Sequence, residues 1–281
     1  MTVDHSVMQA AAPLLTGPRL ALLLFGGAMV LSMIPAWAGA RRDPRSLRGV
    51  GVWIKPLKFM AALALFSFTT AVLMLAAGDS QAADHSLKAI AALLIATALF
   101  EVSYITLQAS RGEPSHYNSS DPLHKTLNVL MALGAIGLTG SQLWLAMTVI
   151  RHRPDWTGSV ATLGVVSGLV LTFVLATVSG FMLGGKRAPP GVGLPIVGWH
   201  RRADLRPAHF LGVHAQQCIP AFGLLVEGLS LPAPLAVFAA LTGAYLLAWA
   251  LAIRMEWQAP ALVPLLAPPL AVVSLRHHRQ K

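Results

Sequence analysis

The chain has almost no cysteine and very little charge. Cys218 is the only thiol in 281 residues, which excludes an intramolecular disulfide and leaves no thiolate pair for a zinc or iron–sulfur centre. Charged residues make up 11% against 55% hydrophobic residues, and the mean hydropathy is +0.64. That balance excludes an ordinary water-soluble domain. Signatures of familiar chemistry are missing too: there is no His-Glu-x-x-His, Cys-x-x-Cys-His, Gly-rich phosphate loop, serine nucleophile elbow or dinucleotide fingerprint. No substrate can be read from a motif.

What is abundant is apolar sequence. Windows of about 20 apolar residues, enough to cross a ~30 Å hydrocarbon core, place helices near 18–40, 53–77, 88–110, 125–150, 158–183, 207–229 and 232–253. The stretch 259–274 contains Pro260, Pro264, Pro268 and Pro269 and is short for a crossing, so it reads as interfacial or re-entrant. The expected fold is an all-α polytopic membrane helix bundle with seven transmembrane helices, eight if the Pro-rich segment crosses. It forms a single integral-membrane domain over 1–281.

The first helix ends in AWAGA, but the positive charge follows it rather than preceding it, so it reads as an anchor and not as a cleaved signal. With RRDPRSLR in the cytoplasm, only Arg19, Lys88, Arg151 and Arg153 of the 21 Lys and Arg residues fall outside. The positive-inside rule then puts the N-terminus outside and the C-terminus in the cytoplasm, in an inner (plasma) membrane of bacterial type. The net charge of +10 sits beside anionic headgroups and implies a lipid bilayer as partner, with no nucleic acid.

Polar residues inside these spans carry the functional signal. Thr97, Glu101, Tyr104, Gln108 and Arg111 recur at spacings of four and three and share one face of the third helix. Glu101 lies roughly 14 Å from the cytoplasmic end, too deep to snorkel, and must be protonated, solvated or paired. Lys58 on the second helix enters from the same side and is available to it, with Lys55 one turn nearer the surface. Asn128, Thr139 and Gln142 form a weaker polar stripe that interhelical hydrogen bonds explain. The helix starts WIKPLKF and DLRPAHF resemble each other, which Pro in a first turn accounts for.

Two long connections, 111–124 and 184–207, together with the start of the sixth helix, hold His116, His124, His200, His209 and His214. His209 and His214 are five apart, about 140° around a helix, and cannot chelate one metal as an i, i+4 pair would. A transition metal would take His214 with His116, His124 or His200; a haem would need one or two axial histidines, with His209 and His214 as candidates. Lys55, Arg202 and Arg206 could grip an anionic group at the same face.

Two functions follow. The first is a metal- or haem-dependent membrane enzyme or electron carrier, an oxidoreductase acting on a lipid-soluble substrate such as a quinone or lipid, with Glu101 and Lys58 as catalytic groups. The alternative is a proton-coupled transporter or channel with Glu101 as relay.

Overall fold

The computed structural model describes residues 12–257, apart from 48, 79, 117, 119–120, 185–198, 200–203 and 230. The Pro-rich 259–274 segment, His200 and Arg202 therefore lie outside the described residues. Among the described residues the elements are α1 (Gly17–Arg42), a two-stranded hairpin β1 (Ser46–Leu47) and β2 (Val50–Gly51), α2 (Ile54–Leu73), α3 (Gln81–Arg111), α4 (Pro122–His152), α5 (Val160–Leu183), α6 (Arg206–Val213), α7 (Ala215–Gly228) and α8 (Pro234–Trp257). A 3-10 turn, Met74–Ala77, prolongs α2. The chain is an all-α membrane bundle. Six helices are long and apolar enough to cross a membrane: α1, α2 with its 3-10 turn, α3, α4, α5 and α8.

The helices begin where side chains can satisfy their first amides. Ser80 accepts from the Ala83 amide at 3.1 Å, Asp121 from the His124 amide at 3.0 Å ahead of Pro122, and Ser159 from the Thr162 amide at 3.2 Å. The Ser80 cap starts α3 seven residues before the sequence expectation, which puts Asp84 and His85 inside the helix as well, with Asp84 and Lys88 paired at 2.6 Å.

Arg19, counted in the sequence as an outer cation, is drawn into the bundle. It is 8% exposed, and its Nη2 donates to the carbonyls of Met74 at 3.4 Å and Gly78 at 3.5 Å. A cation there offsets the bare carbonyls and negative dipole at the end of α2.

At the opposite face the α1–α2 connection is clamped. The Asp43 carboxylate accepts from Arg45 Nε at 2.9 Å, Arg45 Nη2 at 2.7 Å and Trp53 Nε1 at 2.9 Å. Arg45, then Trp53, hold the Asp43 carboxyl well below the usual carboxylate range. Arg45 also donates to the Ser110 carbonyl at 2.9 Å, just before Gly112 closes α3 with φ +73°.

The sixth expected element, 207–229, is not one helix. It divides at His214 into α6 and α7, because the Leu211 carbonyl accepts the Tyr245 hydroxyl from α8. The His214 amide still reaches the Phe210 carbonyl at 3.0 Å, and the His214 carbonyl accepts from Gln217 at 3.1 Å and Cys218 at 3.2 Å.

The two pieces lie antiparallel along the whole of α5. Gly164 faces Gly223, Gly168 faces Pro220, Ala176 faces Gly212, and Gly180 faces His209. The approach is close enough that a Cβ on Gly223 would stand 2.6 Å from the Val160 carbonyl oxygen, and one on Gly212 2.7 Å from the Ala176 nitrogen. Small residues allow this backbone-to-backbone packing where hydrocarbon provides no hydrophobic drive. At the outer end of this pair Glu227 accepts from Ser159 Oγ at 2.7 Å and the Ala161 amide at 2.8 Å, fixing α7 to the start of α5.

Candidate functional site

The polar stripe of the third span faces the bundle. Glu101 is 5% exposed, Tyr104 7% and Gln108 1%. α3 and α4 can approach here because α4 offers glycine: a Cβ on Gly134 would lie 3.2 Å from Glu101 Oε1, and one on Gly137 2.9 Å from Thr97 Cγ2. Among the described residues, Glu101 Oε1 has no hydrogen-bond partner. A carboxylate in such surroundings is tolerated as an ion only when water or a cation shares its site.

The Lys55 charge reaches Glu101 through space, with no ion pair between them among the described residues. The Lys55 ammonium donates to Ser115 Oγ at 2.6 Å and His116 Nδ1 at 2.9 Å, and lies 5.7 Å from the centre of the Phe59 ring. Phe59 also meets the His116 ring at 6.3 Å. A donor at Nδ1 leaves the neutral His116 proton on Nε2. Burial first, then the Lys55 charge, hold His116 down to about 3. Lys58, the sequence-based partner for Glu101, sits instead in the field of Arg206 and Asp204. No ion pair among the described residues joins Lys58 to Glu101.

The remaining candidates go to separate partners. Arg206 holds Asp204 through Nε at 2.8 Å and Nη2 at 2.6 Å. His209 reaches Ser179 Oγ at 3.2 Å and contributes to the field at His116. His124 bridges Asp121 at 2.6 Å and Glu113 at 3.6 Å. His214 meets Gln217 Oε1 at 3.2 Å, as the spacing implies, and lies tilted by 48° against the Phe210 ring with centres 4.1 Å apart. Gln217 Nε2 continues to Thr69 Oγ1 on α2 at 3.2 Å.

Lys55, His116 and His209 thus share one region, at the start of α2, the loop after α3 and the start of α6, with Glu101 about 15 Å deeper along α3, while His124 and His214 point into other networks. Among the described residues, no group of three or more His, Cys, Asp or Glu side chains could hold a metal ion.

Sequence reasoning missed Ser115, Ser179, Arg19, Gln216 and Tyr245. Only Gln216 left a readable trace, in Pro220 four residues later, which removes the helix donor for its main-chain carbonyl. A polar pocket of about 360 Å³ opens at the far face, lined by Arg19, Gly78, Ser80, Asp84 and Lys88. No protein-family model matches the chain, and neither a curated protein nor a solved structure matches it.

Proposed function

We propose that this is a proton-coupled transporter of the inner membrane in which Glu101 is the residue that takes up and releases the proton. The observation that carries this reading is a carboxylate 5% exposed inside a membrane bundle, with one oxygen lacking a partner among the described residues. Such a group is stable in two forms, neutral when dry and ionised when hydrated or paired, and a relay needs both. Lys55, Ser115 and His116 form the polar mouth above it, at the face that the positive-inside rule assigns to the cytoplasm. The broken helix α6–α7, running the length of α5, supplies a seventh crossing, and breaks near mid-membrane are where carriers hold polar cargo.

A metal- or haem-dependent enzyme acting on a quinone or lipid remains the other reading of the histidines. It receives less support, since the described ones are distributed among Ser179, Gln217, Asp121 and Lys55.

Proton uptake into proteoliposomes, driven by a potassium diffusion potential and read by a pH dye inside, tests the relay. Glu101→Gln is expected to lower uptake at least tenfold with the protein still folded. Unchanged uptake and unchanged pH dependence would remove Glu101 from the mechanism.

A further inference from the structure

Three printed contacts tie one face of α6 and α7 to α2. The Phe210 and His214 ring centres are 4.1 Å apart, His214 Nδ1 lies 3.2 Å from Gln217 Oε1, and Gln217 Nε2 crosses to Thr69 Oγ1 on α2 at 3.2 Å. The His214 amide still bonds the Phe210 carbonyl, so the change of helix at His214 leaves these side chains in one stripe. Arg206, one turn before Phe210, begins it.

α2 carries a matching stripe. Lys58 and Leu65 precede Thr69 by eleven and four residues, about three turns and one turn, and so share its face. Arg206 precedes Gln217 by the same eleven residues. Both helices start at the Lys55 face and run the same way, so the Thr69–Gln217 bond sets Lys58 and Arg206 level with each other, about 16 Å nearer that face. The charges of Arg206 and Asp204 accordingly both reach Lys58.

Between the bond and the cations the side chains are apolar and open: Leu65 is 45% exposed and Phe210 47%. The result is a groove with a polar floor, apolar walls and a basic mouth. Its depth of about 16 Å matches the ~15 Å that one leaflet contributes to a ~30 Å hydrocarbon core. With the floor at mid-membrane, the mouth stands at headgroup level on the face that the positive-inside rule assigns to the cytoplasm. Asp204 holds Arg206 at 2.8 and 2.6 Å and is the only acid from 184 to 226. Lys55 is engaged by Ser115 and His116. Lys58 and Arg206 against Asp204 leave one positive charge, the complement of a phosphodiester.

We infer that this groove binds an anionic phospholipid of the cytoplasmic leaflet, its phosphate held by Lys58 and Arg206 and one acyl chain lying over Leu65 and Phe210 down to the Thr69–Gln217 bond. A free phosphate would use the mouth and leave the walls uncovered. A zwitterionic lipid would bring a competing cation to the mouth.

Native mass spectrometry of the protein released from nanodiscs of equal phosphatidylglycerol and phosphatidylcholine content tests this. One phosphatidylglycerol is expected to stay bound per chain, at least tenfold enriched over phosphatidylcholine. Lys58→Gln should lower that enrichment at least fivefold and Lys58→Arg should keep it, while Lys88→Gln, which removes an exposed cation of the far face, should leave it unchanged. Leu65→Trp fills the groove without touching the charges and is expected to lower retention severalfold, which keeps the test open should Lys58→Gln fail to fold.

Equal retention of the two lipids, or equal effects of Lys58→Gln and Lys88→Gln, overturns the site. Displacement of the lipid by millimolar glycerol 3-phosphate, with Leu65→Trp behaving as the native chain, would make a soluble anion the ligand and overturn the groove. A dimer in place of the lipid adduct, lost in Leu65→Trp, would make a second copy the occupant and overturn the lipid assignment.

Discussion

Two helix pairs lined by glycine solve the same problem in different ways. The α5 against α6–α7 contact is built on Gly164, Gly168, Gly212 and Gly223, with backbone against backbone. Along α3 against α4, glycine again lets the helices approach, but Gly134 and Gly137 make room for Glu101 and Thr97 side chains rather than for another main chain. The first contact converts small residues into packing; the second converts them into space for a carboxyl. Glycine in a membrane helix therefore marks close approach, and its partner decides whether that approach is structural or chemical.

The sharpest way to break the comparison is to add one carbon on each side. Gly212→Ala and Gly223→Ala place Cβ atoms 2.7 and 2.6 Å from backbone that cannot yield. Each is expected to cost about 1–3 kcal/mol or more, read as a lowered unfolding temperature or loss of monodisperse protein in detergent. Gly243→Ala on α8, with nothing within 4 Å of the added carbon, should be neutral or slightly stabilising. Equal stability of all three variants would dissolve the packing account.

A smaller effect separates the Lys55 mouth from the rest by pH. His116 in the folded protein is held at about 3, below the ordinary 6.5, so the unfolded chain binds the proton more readily. Its contribution to stability is complete above pH 6.5 and declines as pH falls toward 3. Unfolding temperatures measured from pH 7.5 to 4.5 should fall more steeply for the native chain than for His116→Gln. Parallel curves would mean that His116 titrates normally.

The smallest effect tests the break in the α5 partner. Tyr245→Phe removes the hydroxyl that bonds the Leu211 carbonyl and is expected to cost about 1 kcal/mol. A detergent melt of the variant indistinguishable from the native chain would mean that water replaces the phenol without loss.

The membrane bundle and the inward face of the α3 stripe were legible in the sequence because both rest on periodicity: apolar windows for the one, spacings of four and three from Thr97 to Arg111 for the other. The choice between Lys55 and Lys58 was not. It depends on Ser115 and His116, which are distant in sequence and reach Lys55 only once the loop after α3 folds back.

Arg19 enters the sequence reading only as a cation of the outer side, because counting cations by side does not ask which carbonyls they meet. The interruption at His214 was hidden for the same reason. In RPAHFLGVHAQQ only Gly212 weakens the helix interior, by about 1 kcal/mol against Ala, which does not mark a break, and the group that takes the Leu211 carbonyl is a hydroxyl on α8.

That hydroxyl has a consequence for biogenesis. Helices enter the bilayer in the order in which the ribosome makes them, and each early helix here finds its main neighbour next in line. The segment from Arg206 to Gly228 is different: it can lie along α5 at once, yet its Leu211 carbonyl waits for a phenol synthesised more than thirty residues later. Until α8 arrives, the newly made chain holds an unmet acceptor in hydrocarbon. The last described helix is then the piece that seals the bundle, although it has the fewest buried residues of the six.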